Sequence, residues 1–512
     1  MKRGWREELE VSTSLAEKVR PAGVACEEFD VLIIGAGISG IGSAYHLHTQ
    51  CPDKSFVVLE SKARFGGTWD THTYPGVRSD SDLYTFGYRF KPWVGPPIAT
   101  SQAIKAYLND VIEENGLDSH IRYQTEISRC TWSSEENRWT VETRNADGTP
   151  GTTYRCNFLW MCSGYYDHKN PHLPDWPGMA DFKGRLVHAQ TWDKDLDYKG
   201  KNVVVIGSGA TAATVIPAMA DDAAHVTMLQ RSPTYFFCYP NKSELADRLR
   251  LIGVDDETVH RVVRLEYLHN LKMLDRRSRE EPEIVFDELK ELIRQYAGED
   301  FEFEPHFTPS YRPWQQRLAF IPDGDMFTKI REGKVSAVTD RIDHFTADGI
   351  KLESGDELKA DVVIAATGFN LLMMGGIEFV VDGKPVDWSQ TTTYRGMMFT
   401  GVPNLAWVFG YFRAAWTLRV DLVGDFVCRL LQHMADKGAS KVEIAIPPAL
   451  ANEPKLPWIE DDNFNPGYLM RDLAKLPKRL GDRSEWRHNQ NYWLEAEEIP
   501  ATDLDGPEFR YN

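Results

Sequence analysis

Long apolar runs, paired cysteines and an excess of basic charge are all missing from this chain, and each absence removes a class of protein. No uninterrupted run of about 18 apolar residues occurs, so the sequence predicts no membrane span. The seven cysteines contain no Cys-x-x-Cys pair, which argues against disulfide exchange and predicts free thiols in a reducing compartment. A formal net charge of −18 would repel nucleic acid, so anionic ligands need local basic pockets.

The length and the N-terminus indicate a multidomain cytoplasmic protein. A chain of 512 residues with 42% hydrophobic and 12% aromatic residues is long enough for about two or three separate cores. Residues 1–29 are polar and carry both signs of charge, including Glu7 and Glu8, so they match neither a signal peptide nor a transit peptide. We predict that residues 1–29 form an N-terminal arm, and we predict no metal site.

The region after the arm has the pattern of a dinucleotide-binding βαβ unit. An apolar strand at 29–34 leads into a glycine-rich turn and a helix to about Gln50, and a second strand at 56–59 ends at Glu60. In such a unit the first glycine permits the tight turn, the second admits a pyrophosphate, the third packs helix on strand, and the later acid binds an unphosphorylated ribose. The predicted contact residues are Gly35, Gly37, Gly40 and Glu60.

The same pattern recurs in the middle of the chain. A strand at 202–206, a glycine turn, a helix and a strand at 225–229 are followed by Arg231 and Ser232 instead of an acid. A carboxylate would repel a 2′-phosphate, whereas a guanidinium and a hydroxyl bind it. We therefore predict FAD at the first unit and NADPH at the second; the alternative is that Arg231 is an ordinary surface arginine. The turn residues assigned to NADPH are Gly207, Ser208, Gly209, Thr211 and Ala212.

The predicted fold class is α/β, with two Rossmann-like dinucleotide-binding domains. Charged and apolar residues at helical spacing over 241–297 predict a helical insertion in the NADPH domain. Its apolar stripe is expected to face the core and consists of Val262, Leu265, Leu268, Leu271 and Leu274. The predicted boundaries are 30–165 and 367–512 for the two parts of the FAD domain, with its C-terminal tail, and 166–366 for the NADPH domain.

Further motifs carry a family resemblance. The stretch Phe-Lys-Gly-Arg-Leu-Val-His-Ala-Gln-Thr-Trp-Asp at 182–193 resembles the fingerprint of type I Baeyer-Villiger monooxygenases, within the flavin-containing monooxygenase superfamily. The segments Gly-Gly-Thr-Trp-Asp at 66–70, Arg-Ser-Asp-Ser-Asp-Leu-Tyr at 78–84 and Tyr-Arg-Pro-Trp-Gln-Gln-Arg-Leu at 311–318 are similar to the shorter subgroup that includes the ethionamide-activating monooxygenase. The resemblance runs from about Asp30 to Asn491.

This resemblance implies an enzyme that uses FAD, NADPH and O2 to convert ketones to esters or lactones through a peroxide on the reduced flavin, and that also oxidises sulfides. By the same resemblance Arg317 is the active-site arginine and Asp80 is the carboxylate beside it. A fixed guanidinium would stabilise the peroxide anion and the later tetrahedral oxyanion. Without the family match, the two residues would be interpreted as a surface ion pair or as unrelated charges.

The resemblance also assigns residues to the cofactors and to domain coupling. His188 and Trp192, in the linker between the nucleotide domains, would couple domain rotation to NADPH binding; the alternative is that both are packed structural residues. Ile127, at the end of a strand, would bond adenine through its backbone. The other residues assigned to FAD are Ser39, Gly67, Thr68, Trp69, Tyr74 and Asp80.

Two other functions are compatible with the sequence. One is S- or N-oxygenation without acyl migration, and the other is a non-catalytic flavin- or NADP-binding protein whose helical insertion docks a partner. The chain also departs from the family at Gln316, where many members carry a lysine that helps to hold the 2′-phosphate. The expected partners are a small ketone or sulfide and O2, and no nucleic acid.

Arg231→Ala is expected to raise the KM for NADPH far more than the KM for NADH. The expected loss of binding free energy is about 1 to 3 kcal/mol, the contribution of the charge-assisted hydrogen bonds to the 2′-phosphate. Steady-state kinetics with both cofactors measure the difference. Equal effects on NADPH and NADH would contradict the assignment of Arg231.

Overall fold

A computed structural model describes residues 26–460 and 464–512. The predicted N-terminal arm therefore lies outside the described residues up to position 25. The first strand begins at Cys26 and not at Phe29, because residues 26–28 continue the parallel pairing with the neighbouring strand, where Cys26 lies opposite Thr153 and Glu28 opposite Arg155. No helix within the described ranges combines the length and the apolar content that a membrane crossing needs.

The strands and helices follow one another in an α/β pattern. The strands of the described residues are β1 (Cys26–Ile34), β2 (Phe56–Leu59), β3 (Ile121–Arg122), β4 (Glu126–Ser133), β5 (Arg138–Arg144), β6 (Pro150–Met161), β7 (Tyr166–Pro171), β8 (Arg185–His188), β9 (Asn202–Ile206), β10 (His225–Gln230), β11 (Phe236–Tyr239), β12 (Ala319–Pro322), β13 (Val335–Thr339), β14 (Ile342–Thr346), β15 (Gly349–Leu352), β16 (Glu357–Lys359), β17 (Val362–Ala365), β18 (Phe369–Leu371), β19 (Glu378–Val381), β20 (Lys384–Pro385), β21 (Thr393–Tyr394), β22 (Met398–Phe399), β23 (Leu405–Trp407), β24 (Val442–Ile444), β25 (Lys455–Pro457), β26 (Lys478–Leu480) and β27 (Phe509–Tyr511). The α-helices are α1 (Ile38–Gln50), α2 (Thr68–Thr71), α3 (Leu83–Phe86), α4 (Ser101–Glu114), α5 (Ala210–Met219), α6 (Glu244–Leu251), α7 (Asp256–Glu280), α8 (Pro282–Ala297), α9 (Asp325–Arg331), α10 (Thr417–Lys437), α11 (Gly467–Asp472) and α12 (Tyr492–Glu498).

The first nucleotide-binding sheet has the strand order β20-β19-β4-β5-β6-β1-β2-β3, and β23 pairs with the end of β6. Alternate residues of β1 enter two different hydrophobic clusters, Val31 and Ile33 on one face and Leu32 and Ile34 on the other. Side chains of a strand alternate between the faces of its sheet, so both faces of β1 are covered. This explains why the strand is a continuous apolar run.

The second sheet is parallel and has the strand order β13-β10-β9-β17-β8. Strands β9 and β10 flank α5, as the second βαβ pattern predicts. The segment 366–369 leaves the carboxyl end of β17 beside the turn that follows β9, since Ala366 donates from its amide to the carbonyl oxygen of Ile206, 2.9 Å away. Both glycine turns therefore lie at carboxyl ends of parallel strands.

The segment 241–297 forms α6, α7 and α8, and it contacts both nucleotide-binding units. Val259 and Val263 of α7 pack in the core of the first unit, whereas Ile293 of α8 packs in the core of the second. The predicted apolar stripe is wrong at Leu265, which is 62% exposed, although Leu268 is buried. The buried face of α7 follows Val259 and Val263, so Leu265 lies on a different side of the helix.

A buried ion pair fixes the C-terminal part of the chain against α10. The side chains of Arg419 and Glu495 are 0% and 1% exposed, and Nε lies 2.8 Å from Oε2. Arg419 also donates to the carbonyl oxygen of Phe409 (2.8 Å), and the Tyr411 hydroxyl donates to Glu495 (2.6 Å). Burial opposes the charge of Glu495, but Arg419 keeps the pKa of this carboxyl below its ordinary value. The pair therefore holds the start of the segment 409–416 in place.

Glu495→Ala is expected to destabilise the protein by about 3 to 5 kcal/mol, because the Arg419 charge would stay buried without its partner. Urea unfolding of the two proteins measures the change. Glu497→Ala, on the exposed side of α12, is the matched control and should change stability by less than about 0.5 kcal/mol. Equal small effects of both substitutions would show that the buried pair does not stabilise the fold.

Candidate functional site

A cavity of about 810 Å³ lies between the two nucleotide-binding sheets. Its wall contains both glycine turns, much of the segment 66–81 and the residues that follow β6 and β17. Ligands of open α/β sheets bind in this position, outside the carboxyl ends of the strands. The predicted site residues that line it are Gly35, Gly37, Ser39, Glu60, Gly67, Thr68, Trp69, Tyr74, Asp80, Ile127, Gly209, Thr211 and Arg317.

The first glycine turn brings three backbone segments into contact. Gly35 has a φ of +102°, and a Cβ there would lie 2.7 Å from the carbonyl oxygen of Cys162. A Cβ on Gly40 would lie 1.8 Å from the carbonyl oxygen of Gly35, so a side chain fits neither position. Gly40 thus lies behind the cavity wall, where the absence of a side chain lets α1 pack closely against the end of β1. The N-terminus of α1, at Gly37, is left facing the cavity, where its amides suit an anionic group.

Glu60 is fixed at the end of β2 by backbone amides. Ala36 donates to Oε2 (2.8 Å) and Lys62 donates to Oε1 (2.9 Å). The residue is only 6% exposed, yet it lines the cavity. A carboxylate accepts several hydrogen bonds, so Glu60 has acceptor capacity left for a hydroxyl donor.

Two tryptophans and a serine form a wall beside the first turn. The Nε1–H of Trp416 donates to Oγ of Ser39 (2.7 Å), which sequence reasoning did not connect. Trp69 follows Thr68 at the start of α2 and packs edge-on against Phe86, with 5.7 Å between ring centroids. Since Trp69 is only partly buried and lines the cavity, one part of its ring is available to a ligand.

The second glycine turn has more open space than the first. A Cβ on Gly207 would lie 2.5 Å from the carbonyl oxygen of Ala366, whereas a Cβ on Gly209 would meet no heavy atom within 4 Å. Ser208 shares a hydrogen bond with Thr234 (2.7 Å), and Ala212 is completely buried. Gly207, Ser208 and Ala212 therefore support the turn from behind, while Gly209 and Thr211 face the cavity.

Arg231 and Ser232 lie outside the cavity wall. Both are exposed and directly follow β10, the neighbour of β9. They stand at the carboxyl edge of the second sheet, beside the turn that carries Gly209.

The structure brings together Asp80 and Arg317, which are 237 residues apart in the sequence. Nε and Nη2 of Arg317 each lie 2.6 Å from Oδ2 of Asp80, and Nη1 donates to the carbonyl oxygen of Phe412 (3.2 Å). Burial opposes the guanidinium charge, but the Asp80 carboxylate keeps the pKa of Arg317 above its ordinary value. Arg317 is therefore a permanent positive charge at the cavity wall.

The segment 74–80 also connects the two nucleotide-binding units. Arg78 forms a two-point ion pair with Asp325 at the start of α9 (2.5 and 3.2 Å) and donates to the carbonyl oxygen of Ala213 (3.4 Å). Burial raises the pKa of Tyr74 to about 12, so its hydroxyl stays protonated. Sequence reasoning missed the partner of Arg78, because Asp325 carries no local signal of its own.

Three tyrosines that the sequence analysis did not assign face the same part of the cavity. The hydroxyls of Tyr165 and Tyr166 share a hydrogen bond (2.5 Å), and Tyr166 packs on Phe369 with 3.9 Å between ring centroids. Tyr166 and Tyr468 both line the cavity together with Arg317. Two of these tyrosines, Tyr165 and Tyr166, could have been predicted from the sequence, because they directly follow the Ser-Gly pair after β6.

The structure corrects two predicted positions. Ile127 is the second residue of β4 and so lies at the start of a strand, not at its end, because the chain turns just before it at Gln124 (φ 53°). His188 is the last residue of β8 and not part of a linker, since β8 pairs with β17 in the second sheet. Nδ1 of His188 accepts from the amide of Gln190 (3.1 Å), burial lowers its pKa, and Trp192 packs against the second core.

The unpaired polar groups of the cavity fit bound nucleotides. Oγ of Ser163 and Nδ1 of His72 are buried, line the cavity and have no hydrogen-bond partner among the described residues. Burial, with the nearby Lys62, lowers the pKa of His72 to about 4, so its ring is neutral at pH 7. Buried polar groups normally have partners, which polar atoms of a cofactor would supply here.

Gly209→Ala is expected to leave the fold and FAD content unchanged but to weaken NADP+ binding about tenfold, because the new methyl would stand where the pyrophosphate approaches the backbone. Titration of the oxidised protein with NADP+ measures the change. Gly37→Ala, the equivalent change in the first turn, should lower FAD content instead. Wild-type NADP+ affinity in the Gly209 variant would place the nucleotide elsewhere.

Comparisons with known proteins agree with this architecture. Residues 33–96 match the NAD(P)-binding Rossmann-like domain, and residues 92–245 match the flavin-binding monooxygenase-like family. The chain is 44% identical over 487 residues to the FAD-containing monooxygenase EthA of Mycobacterium tuberculosis, covering 95% of this chain and 98% of EthA. It is 45% identical over 481 residues to EthA of Mycolicibacterium smegmatis, covering 94% and 96% of the two chains.

Solved structures share the fold at lower identity. An oxidised steroid monooxygenase bound to NADP has a TM-score of 0.72 at 22% identity and covers 94% of this chain and 99% of its own. A cyclohexanone monooxygenase from Rhodococcus sp. Phi1 bound to NADP+ has a TM-score of 0.70 at 22% identity, with coverage of 95% and 100%. The predicted family and the predicted pair of dinucleotide-binding domains are confirmed: the chain belongs to the FAD-containing monooxygenases and is a flavin-dependent monooxygenase.

Proposed function

We propose that this enzyme is an NADPH-consuming Baeyer-Villiger monooxygenase that converts ketones to esters or lactones and also oxidises sulfides. The observation that carries the proposal is the guanidinium of Arg317, held on Asp80 at the wall of the cavity between the two nucleotide-binding sheets. FAD binds along the first glycine turn with its ribose at Glu60. NADPH binds along the second turn, with its 2′-phosphate near Arg231.

When bound, FAD that has been reduced by NADPH supplies activated oxygen from O2. The residues of the chain position the substrate and stabilise charge. Arg317 stabilises the negative charge that develops on oxygen when a ketone carbonyl is attacked. Nη1 of Arg317 has a single partner among the described residues, the neutral carbonyl of Phe412, so it is the donor that can turn most easily to this oxyanion. Asp80 holds the rest of the guanidinium in its orientation.

Aromatic side chains keep water from the reacting groups. Tyr165 and Trp416 stack with 5.3 Å between ring centroids, and Trp69 and Phe369 extend the wall. An apolar enclosure of this kind strengthens the interaction between Arg317 and the oxyanion, because the local dielectric constant is low.

Oxidation of sulfides is supported by the same apolar wall, which accepts an uncharged sulfide as readily as a ketone. Transfer of oxygen to sulfur forms no carbonyl-derived oxyanion, so it depends less on the charge of Arg317.

We also propose a cytoplasmic location, which is supported by seven free cysteines, as expected in a reducing compartment.

Arg317→Ala is expected to keep FAD and its reduction by NADPH but to lower ester formation from ketones by at least about 100-fold, because the oxyanion loses its donor. Mass spectrometry of products from a panel of ketones and sulfides, with NADPH oxidation followed in parallel, measures both reactions. Sulfoxide formation should fall less than ester formation. Ester formation at a rate close to that of the wild type would refute the role given to Arg317.

A further inference from the structure

Helix α11, near the C-terminus, reaches the carboxyl edge of the second nucleotide-binding sheet. Nη2 of Arg471 donates to the carbonyl oxygen of Phe369 (3.0 Å), and the amide of Leu371 donates to Asp472 (3.3 Å). Phe369 begins β18, shortly after the end of β17. These two bonds hold Arg471 at the edge of the sheet where Arg231 follows β10.

The strand order β10-β9-β17 puts Arg231, after β10, and the segment 366–369, after β17, on either side of the turn that follows β9. Arg471 is bonded to that segment at Phe369. Neighbouring strands are about 4.8 Å apart, so the ends of β10 and β17 are separated by about 10 Å. Two arginine side chains can reach one anion across that distance. Burial lowers the pKa of Arg471; Asp472 opposes this effect and Arg231 adds to it.

Within the part of the chain that the structure describes, the two guanidiniums at this edge have no direct carboxylate partner. Arg231 and Arg471 are both exposed, and neither forms an ion pair with any residue that the structure describes. The neighbouring carboxylate, Asp472, is engaged by Lys475 (2.6 Å) and by the amide of Leu371. An anion between the two guanidiniums would remove their mutual repulsion and accept hydrogen bonds from both.

We propose that Arg471 binds the 2′-phosphate of NADPH together with Arg231. Arg471 thereby supplies a second cation at this site. In many members of the family a lysine at the position of Gln316 has this role, and Gln316 itself carries no charge. The inference rests on the proposed position of NADPH along the second glycine turn. Recognition of the phosphate then comes from two elements that are far apart in the sequence, the end of β10 and helix α11.

The test is calorimetric titration of the oxidised, FAD-loaded enzyme with NADP+, NAD+ and adenosine 2′,5′-bisphosphate. Arg471→Ala is expected to weaken NADP+ and the bisphosphate about tenfold and NAD+ less than about twofold, the size expected for one charge-assisted hydrogen bond. Arg471→Gln keeps a donor for the carbonyl of Phe369 but loses the charge, so it should weaken NADP+ and the bisphosphate as much as Arg471→Ala does. Arg471→Lys keeps the charge and should recover part of the affinity for NADP+. Lys455→Ala, which removes an exposed cation from another part of the C-terminal region, is the matched control.

The outcomes separate this inference from the proposed function. If Arg231→Ala weakens NADP+ selectively and the Arg471 variants do not, the role of Arg471 is refuted while the placement of NADPH stands. Equal weakening of NADP+ and NAD+ by Arg471→Gln would mean that Arg471 only positions α11, and would also overturn the inference. If neither arginine affects selectivity, both the inference and the placement of the 2′-phosphate fail.

Discussion

The ion pair between Arg317 and Asp80 is the interaction on which the rest of the site depends. Each residue comes from a different part of the chain, Asp80 from the segment after α2 and Arg317 from the residues before β12. A charge that is partly removed from water is costly unless it is paired, and Asp80 offsets that cost for Arg317. The pair therefore lets the enzyme keep a permanent cation in the cavity wall.

Several other contacts keep this pair in position. Arg78, two residues before Asp80, is bound to Asp325 of the second nucleotide-binding unit. Phe412, whose carbonyl accepts from Arg317, belongs to a segment that Arg419 and Glu495 hold through Phe409 and Tyr411. Through these contacts the C-terminal helix α12 supports a guanidinium that is far from it in the sequence. A substitution in this distant support can therefore change the site without contacting a ligand.

The local features of the fold could be predicted from the sequence, because they depend on neighbouring residues. The two βαβ units follow from apolar strands, glycine spacing and the residues after the second strand, and the structure has both. The first strand was predicted too short because residues 26–28 pair with a strand more than 100 positions later, where Glu28 lies opposite Arg155. Leu265 was placed on the wrong side of α7 because helical spacing alone does not say which face meets a neighbour.

The pairing of Arg317 with Asp80 was reached by family resemblance, and the spacing of the residues gave no sign of it. The partner of Arg78 and the bond between Trp416 and Ser39 were not predicted at all. These are contacts between segments that are 240 or more positions apart, as with Arg78 and Asp325 at a separation of 247. Long-range contacts of this kind leave no periodic pattern in a single sequence, so only the folded chain reveals them.

The proposed role of Arg317 depends most on where the flavin lies relative to its guanidinium. A crystal structure of the enzyme with FAD and NADP+ tests this directly. We predict that the guanidinium lies within about 4 Å of the flavin ring system while Nε still contacts Asp80. A flavin bound outside the cavity, or an Arg317 side chain turned to bulk solvent, would contradict the account.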